Sequence, residues 1–232
     1  MAKVDLLTKG LYTVPEAARL IGAPMAKVRG WIAGYPKTKG GPVLKNEVGW
    51  MDGKLAMSFT NLMEIRFIQY FSNYGVKVVS IRLMAEEARK ILRHPHPFAT
   101  ATVFKTDGRK IFAEVAEKTG DKHLYDLRAK NWAIVEVIEQ SLKRGVVYNP
   151  KGDAVGWHPR QDIAPNVIIF PQASFGQPVL EESRIPTRTL FRAFMAEGET
   201  YESVANWYRV PKKLVEEAII FETKLQGEPL AA

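Results

Sequence analysis

Lys27 and Arg29 flank Val28 in the run GAPMAKVRGWIA, and both carry a positive charge suited to phosphate. Met25 and Ala26 just precede them, with apolar side chains that suit contact with a thymine methyl in a major groove. A second basic set, Arg184, Arg188 and Arg192, stands far along the chain. Arg188 and Arg192 are four apart, the spacing that puts two side chains on one helix face, where a guanidinium can grip a carboxylate bidentately. His94 and His96 lie at i and i+2 in His-Pro-His-Pro. The chain has no cysteine, and His123 and His158 are distant in sequence, so this stretch reads as a rigid linker, not a metal site. No glycine-rich phosphate loop, Ser-His-Asp order or carboxylate pair at metal spacing is visible, and Ser174 before Phe175-Gly176 has no histidine nearby. These residue types point to a binding protein, not an enzyme, with neither cofactor nor metal expected.

The element that must position the first set runs from Leu11 to Ala33. Thr13 with Glu16 three residues on has the pattern of a capping box, and Pro15 sits where a helix tolerates it. Ala17, Ala18, Leu20 and Ile21 supply a close-packing face, and Gly22-Ala23-Pro24 breaks the helix. Val28, Trp31 and Ile32 fall at i, i+3 and i+4, so a second helix has one apolar side. Two helices over a short glycine-containing turn form a helix-turn-helix plan. With Val28, Trp31 and Ile32 inward, Ala26 and Gly30 point outward between Lys27 and Arg29. Arg19 on the first helix and Lys45 and Lys54 beyond the second would add phosphate contacts.

Charge supports this reading through its distribution. The net charge is +8, and residues 1–93 hold 15 Lys+Arg against 7 Asp+Glu, while residues 94–232 balance. An excess confined to one module is the footprint of phosphate binding. With 46% hydrophobic residues a sizeable core is available. No apolar run is long enough for a membrane span and the N-terminus lacks a signal core, so a cytoplasmic protein is expected.

Residues 34–59 are rich in Gly, Pro and Lys, with Val43–Leu44 and Leu55–Met57 as strand candidates of a hairpin wing. Helices are expected over about 60–74, capped by Ser58 or Thr60, and about 78–92, with Val79, Leu83, Ile91 and Leu92 inward and Arg82, Arg89, Lys90 and Arg93 outward. Thr106-Asp107-Gly108-Arg109 signals a hairpin turn. Residues 123–143 read as helical, with Leu124, Leu127, Trp132, Val135, Ile138 and Leu142 inward. A second hairpin turns at Asn149-Pro150-Lys151-Gly152 with Trp157 in the core, and Asn166–Phe170 reads as a buried strand. Three short helices close the chain, about 187–196, 201–208 and 211–225. Trp207 is expected to be buried among them.

Two resemblances follow from these residues. The order YTVPEAARLIG, VRGW, wing, FTNLMEIRFIQYFSNYGVKVVSIRLM resembles the winged helix-turn-helix of the MerR class over about residues 10–93. It departs where His94-Pro95-His96-Pro97 stops the helix that in that class continues as a dimerising coiled coil. The segments FGQPVL, SRIPT, AEGETYESVANWY and LVEEAIIFE resemble the domain of unknown function 433 family over about 166–225. Glu182-Ser183 replaces that family's usual Gly-Thr.

The second resemblance implies a role as an antitoxin encoded beside a PIN-domain ribonuclease toxin. Arg184, Arg188 and Arg192 would then be the groups that reach the toxin's acidic active site. The expectation is an α+β, mainly helical chain. Residues 1–93 form a MerR-like winged helix-turn-helix, 94–165 a small α+β middle region and 166–232 a three-helix module. It would bind double-stranded operator DNA as a homodimer and neutralise a PIN-domain toxin. The alternative is a stand-alone transcription regulator with a ligand-sensing or dimerising C-terminal region, which a buried, polar-lined pocket within 98–170 would favour.

Overall fold

Thr13 begins the first helix by donating its backbone N–H and its hydroxyl to the Glu16 carboxylate, at 2.8 and 2.7 Å. Glu16 thereby satisfies a group that helix geometry leaves without an intrahelical partner. The structure, a computed structural model, describes residues 9–35, 41–101, 108–129, 144–196, 198 and 200–227, without the side chains of 108–110 and 127–129. Helix α1 spans Val14–Ile21 and ends at Gly22, whose φ of +69° suits glycine. Helix α2, Met25–Ala33, follows after a three-residue connection and stops at Gly34. Ala17, Ala18, Val28 and Trp31 are buried between and beneath the two.

A short strand β1, Tyr12–Thr13, precedes α1, and the hairpin β2 (Gly49–Met51) and β3 (Lys54–Met57) follows α2. The three make an antiparallel sheet in the order β1-β3-β2. Asp52 and Gly53, both at positive φ, form the hairpin turn. Val43 and Leu44 are buried but are not a strand. Their N–H groups both donate to the Trp31 carbonyl, so the α2 end claims their backbone.

Ser58 caps helix α3 (Phe59–Asn73) by accepting from the Asn61 N–H at 3.1 Å. Helix α4 spans Val78–Leu92, as expected, but its inward face is Ile81, Met84, Ala85 and Ala88. Val79 is 57% and Ile91 41% exposed, and Leu83 and Leu92 are half-buried. Arg82 and Arg89 are not free outward groups, since they donate to the carbonyls of Gly41 and Val43. The alanine stripe lets helix backbones approach closely, and that packing outweighs the larger but misphased Val79 and Ile91.

Of the hairpin turn expected at residues 106–109, Gly108 and Arg109 are helical instead. Gly108–Thr119 is helix α5, while 102–107 lie outside the described residues. Ile111, Phe112, Val115 and Ala116 make a helical stripe and are all buried. That 3.6-residue period prevails over the local Asp-Gly turn signal. Helix α6, Lys122–Ala129, covers the start of the helix read over 123–143 and buries Leu124. Leu127, Trp132, Val135, Ile138 and Leu142 lie outside the described side chains.

Strands β4 (Val146–Tyr148), β5 (Ala154–Trp157), β6 (Val167–Ile169) and β7 (Pro178–Leu180) form an antiparallel sheet in sequence order. Trp157 on β5 pairs with Ile169 on β6 and is buried, so the sheet runs across residue 165. Helices α7 (Thr187–Ala196), α8 (Tyr201–Tyr208) and α9 (Lys212–Gly227) follow. Glu217 on α9 binds β6 by accepting from the backbone N–H and the side-chain amide of Asn166 at 3.1 Å.

One hydrophobic core runs through the described residues from Tyr12 to Phe221. Its aromatic centre stacks Phe67 of α3 on Phe98 at 4.3 Å, and Phe71 on Phe112 of α5 at 5.3 Å between ring centroids. No described helix is long and apolar enough to cross a membrane.

Candidate nucleic-acid interface and adjoining cavities

On α2 the described burial leaves Ala26, Lys27 and Arg29 exposed and Met25 half-buried, with Val28, Trp31 and Ile32 inside. Gly30 departs from the expected outward position. It is buried under the Tyr35 ring, and a Cβ there would meet Tyr35 Cζ at 2.2 Å. The missing side chain therefore seats an aromatic ring instead of opening the helix to a groove. The free face is a narrower strip of Ala26, Lys27 and Arg29.

The hairpin extends that strip. Arg29 lies over the ring of Trp50, 5.4 Å from its centroid, and Trp50 is 60% exposed beside the exposed Met51. Lys54 on β3 and Lys45 in the preceding loop are exposed. The structure thus joins Arg29 to an aromatic that sequence reasoning missed. Its signal was present in Gly49-Trp50-Met51 before a turn, where a large apolar side chain at a strand edge has no core to enter. A cationic strip with an exposed aromatic offers phosphate pairing and an apolar surface for base or sugar.

Arg19 is exposed on α1 but stands elsewhere. With Arg188 it lines a cavity of about 520 Å³ between α1 and α9, which also includes Glu16, Gln177 and Glu222. Glu222 accepts from the Thr187 hydroxyl at 2.5 Å. Burial pushes its carboxyl above the usual range, and the Thr187 bond and the Arg188 charge pull the other way. Arg188 and Arg192 are both exposed on α7 and share a face by spacing. Arg184, at φ +59°, lays its guanidinium 3.9 Å over the Phe170 ring. The three arginines are therefore not one cluster of equivalent groups.

Trp207 overturns an expectation. It is 72% exposed on α8, where Val204 and Ala205 face the core instead. Val204 and Ala205 together set the inward direction, and Trp207, two residues after Ala205 and so about 160° around the helix from it, falls outside the buried sector. Met195 and Ile220 are also exposed in this region, at 53% and 42%.

His96 binds the linker to the first region. Its Nδ1 is 2.9 Å from Glu64 Oε2 and its Nε2 is 3.3 Å from Glu47 Oε1. Lys9 and the Ser58 hydroxyl complete the Glu47 shell at 3.1 and 2.5 Å. Burial opposes the imidazolium, but hydrogen bonds and charge from both carboxylates outweigh it and push His96 up to about 9. The His96 bond leads the causes that hold Glu47 down at about 2, whereas burial pushes Glu64 up. Among the described residues no set of three or more His, Cys, Asp or Glu is arranged to hold a metal.

A second cavity, of about 390 Å³, opens where the end of α1 meets α3 and the segment after β5. Arg66, Arg144 and Arg160 line it with Gln69, Tyr70 and Trp157. Arg66 is 5% exposed, donates to the Arg144 carbonyl at 2.7 Å, and lies within 5.3 and 5.5 Å of the Tyr70 and Trp157 ring centroids.

No protein-family model matches the chain. In Mycobacterium tuberculosis, the protein named "Putative antitoxin VapB45" is 25% identical over 224 residues, covering 90% of this chain and 92% of that one. The protein named "Uncharacterized protein Rv2308" from the same organism is 25% identical over 256 residues, covering 100% of this chain and 98% of that one. Among solved structures, the crystal structure of Rv2018 from M. tuberculosis aligns with a TM-score of 0.69 at 23% identity, over 90% of this chain and 96% of that chain. That likeness is one of fold.

Proposed function

We propose that this chain is the antitoxin of a toxin–antitoxin pair, binding its own operator and neutralising a PIN-domain ribonuclease. The observation that carries the role is the near full-length similarity to the VapB45 protein, 90% of one chain on 92% of the other. In this reading residues 1–93 are the winged helix-turn-helix unit, 94–165 the middle region and 166–232 the toxin-facing module. Lys27, Arg29, Lys45 and Lys54 hold phosphates, Met25 and Ala26 touch bases, and Trp50 stacks at the wing. A homodimer presents two such strips to two half-sites.

Arg188 and Arg192 are the toxin-facing pair, exposed on one side of α7. Paired with carboxylates of a metal-binding active site, they would compete with the metal. The test is co-expression with the adjacent gene, followed by RNA cleavage assays. Wild-type chain should co-purify with the toxin and silence cleavage at equimolar ratio. The double variant Arg188→Glu/Arg192→Glu should leave cleavage running while full-length DNA binding persists. Full inhibition by that variant removes the arginines from the reading, and failure to co-purify removes the toxin.

The alternative of a stand-alone regulator with a ligand-sensing region draws its support from the arginine-lined cavity, which residues 144 and 157–162 help to build.

A further inference from the structure

Three arginines, Arg66, Arg144 and Arg160, line the cavity at the end of α1, against one carboxylate in its lining, Asp162, which lies 3.8 Å from Arg160. Such a lining favours a multiply charged oxyanion, and guanidinium geometry matches phosphate with two parallel N–H bonds. Amides stand beside the arginines. Gln69 donates to Asn73 at 3.0 Å, and its Oε1 is buried with no hydrogen-bond partner among the described residues. A buried acceptor in that state costs free energy until a donor arrives, and a ligand hydroxyl or amino group would supply one. The volume, about 390 Å³, falls within the range of small-molecule sites.

We propose that this cavity binds a small phosphate-bearing metabolite of mononucleotide size, its phosphate on Arg144 and Arg160 and its hydroxyl or base edge on the Gln69 amide. A duplex backbone is the other source of phosphate, and the shape argues against it. Arg66, a lining residue only 5% exposed, is out of reach of a convex DNA surface, so its charge favours an occupant small enough to enter the cavity. Leu20, Ile21 and Gly22 form one wall, so an occupant would touch the connection that sets α2 against α1. The inference holds with or without the toxin–antitoxin reading, because its main readout, the binding of AMP, needs neither DNA nor toxin.

Titrating full-length protein with AMP, adenosine and inorganic phosphate, followed by calorimetry and tryptophan fluorescence, tests it. AMP should bind saturably and at least tenfold more tightly than adenosine or inorganic phosphate. Arg144→Gln with Arg160→Gln should weaken AMP at least tenfold without moving the melting temperature, since Arg144 is exposed and Arg160 only half-buried. Absence of saturable AMP binding overturns the site, as does unchanged affinity in the double variant. Inorganic phosphate binding as tightly as AMP overturns the mononucleotide assignment. If the double variant loses duplex binding while the wild type ignores AMP, the arginines are a DNA contact and the proposal fails.

Discussion

The Arg29 guanidinium rests 5.4 Å above the centroid of the Trp50 ring, joining α2 to the hairpin that follows it. A planar cation on an aromatic face loses rotamer freedom before any ligand arrives, so less ordering remains to be done on binding. The pair lies at the border of the strip formed by Ala26, Lys27 and Arg29.

Replacing Lys27 and Arg29 by alanine in the full chain should weaken duplex binding on all sequences alike. The salt slope should fall by up to about one unit for each phosphate no longer neutralised. Trp50→Ala should also weaken binding, yet change thermal stability by no more than about 0.5 kcal/mol, as suits a side chain already in solvent. Fluorescence anisotropy at several salt concentrations measures both, and an affinity indifferent to salt would remove DNA from the reading.

Gly176 should tolerate no side chain. Its φ is +82°, and a Cβ would lie 2.4 Å from the Tyr12 hydroxyl and 2.9 Å from Gly10 Cα. Gly176→Ala should cost about 1–3 kcal/mol, combining backbone strain with overpacking. Chemical denaturation reads the loss, and a variant as stable as the parent would mean that this close approach is not held in solution.

His96 makes stability depend on pH in a definite direction. Its folded value, about 9, lies above the ordinary 6.5. Its contribution is therefore complete below about pH 6.5 and is lost as pH climbs toward 9. Glu47, held near 2 against an ordinary 4.5, acts in the acid range, contributing above about 4.5 and losing that contribution as pH falls toward 2. Burial of Glu64 opposes its own bond to His96 by favouring the neutral carboxyl. Melting temperatures from pH 6.5 to 9.5 should fall in the wild type and show a smaller decline in His96→Gln. Parallel curves would assign the decline to other groups.

Trp207→Ala should leave the fold nearly unchanged, within about 0.5 kcal/mol, because the indole is 72% exposed. If α8 belongs to the toxin-facing module, the same change should weaken complex formation in a pull-down. A melting temperature lowered by more than a few degrees would show that the ring packs in solution.

The two helices of the first region were legible because their signals are local. Thr13 with Glu16, the break at Gly22, and the spacing of Val28, Trp31 and Ile32 act within a few residues. The three closing helices were legible for the same reason, in position though not in facing, since Trp207 and Val204 compete for the interior and burial depends on neighbours from other segments. The α5 helix was missed because Asp107-Gly108 is a strong turn signal at short range, while the stripe Ile111, Phe112, Val115, Ala116 has meaning only against α4. Of the candidate sites, the charges of α2 could be read directly. The cavity arginines could not, because Arg66, Arg144 and Arg160 are brought together only by tertiary folding. Nor could the His96 clamp, whose carboxylates lie 32 and 49 positions earlier.

The Tyr12 hydroxyl donates to the Gly176 carbonyl across 164 positions, and the Leu11 N–H donates to the Phe175 carbonyl beside it. During synthesis, then, the strand that leads into α1 can pair early with β3 but cannot make these two bonds until residues 174–176 have left the ribosome. At about 5–20 residues per second, that wait lasts on the order of ten seconds or more. Until then the nascent first region lacks its final anchor. These long-range bonds therefore tie the first region to a segment that is made only just before α7.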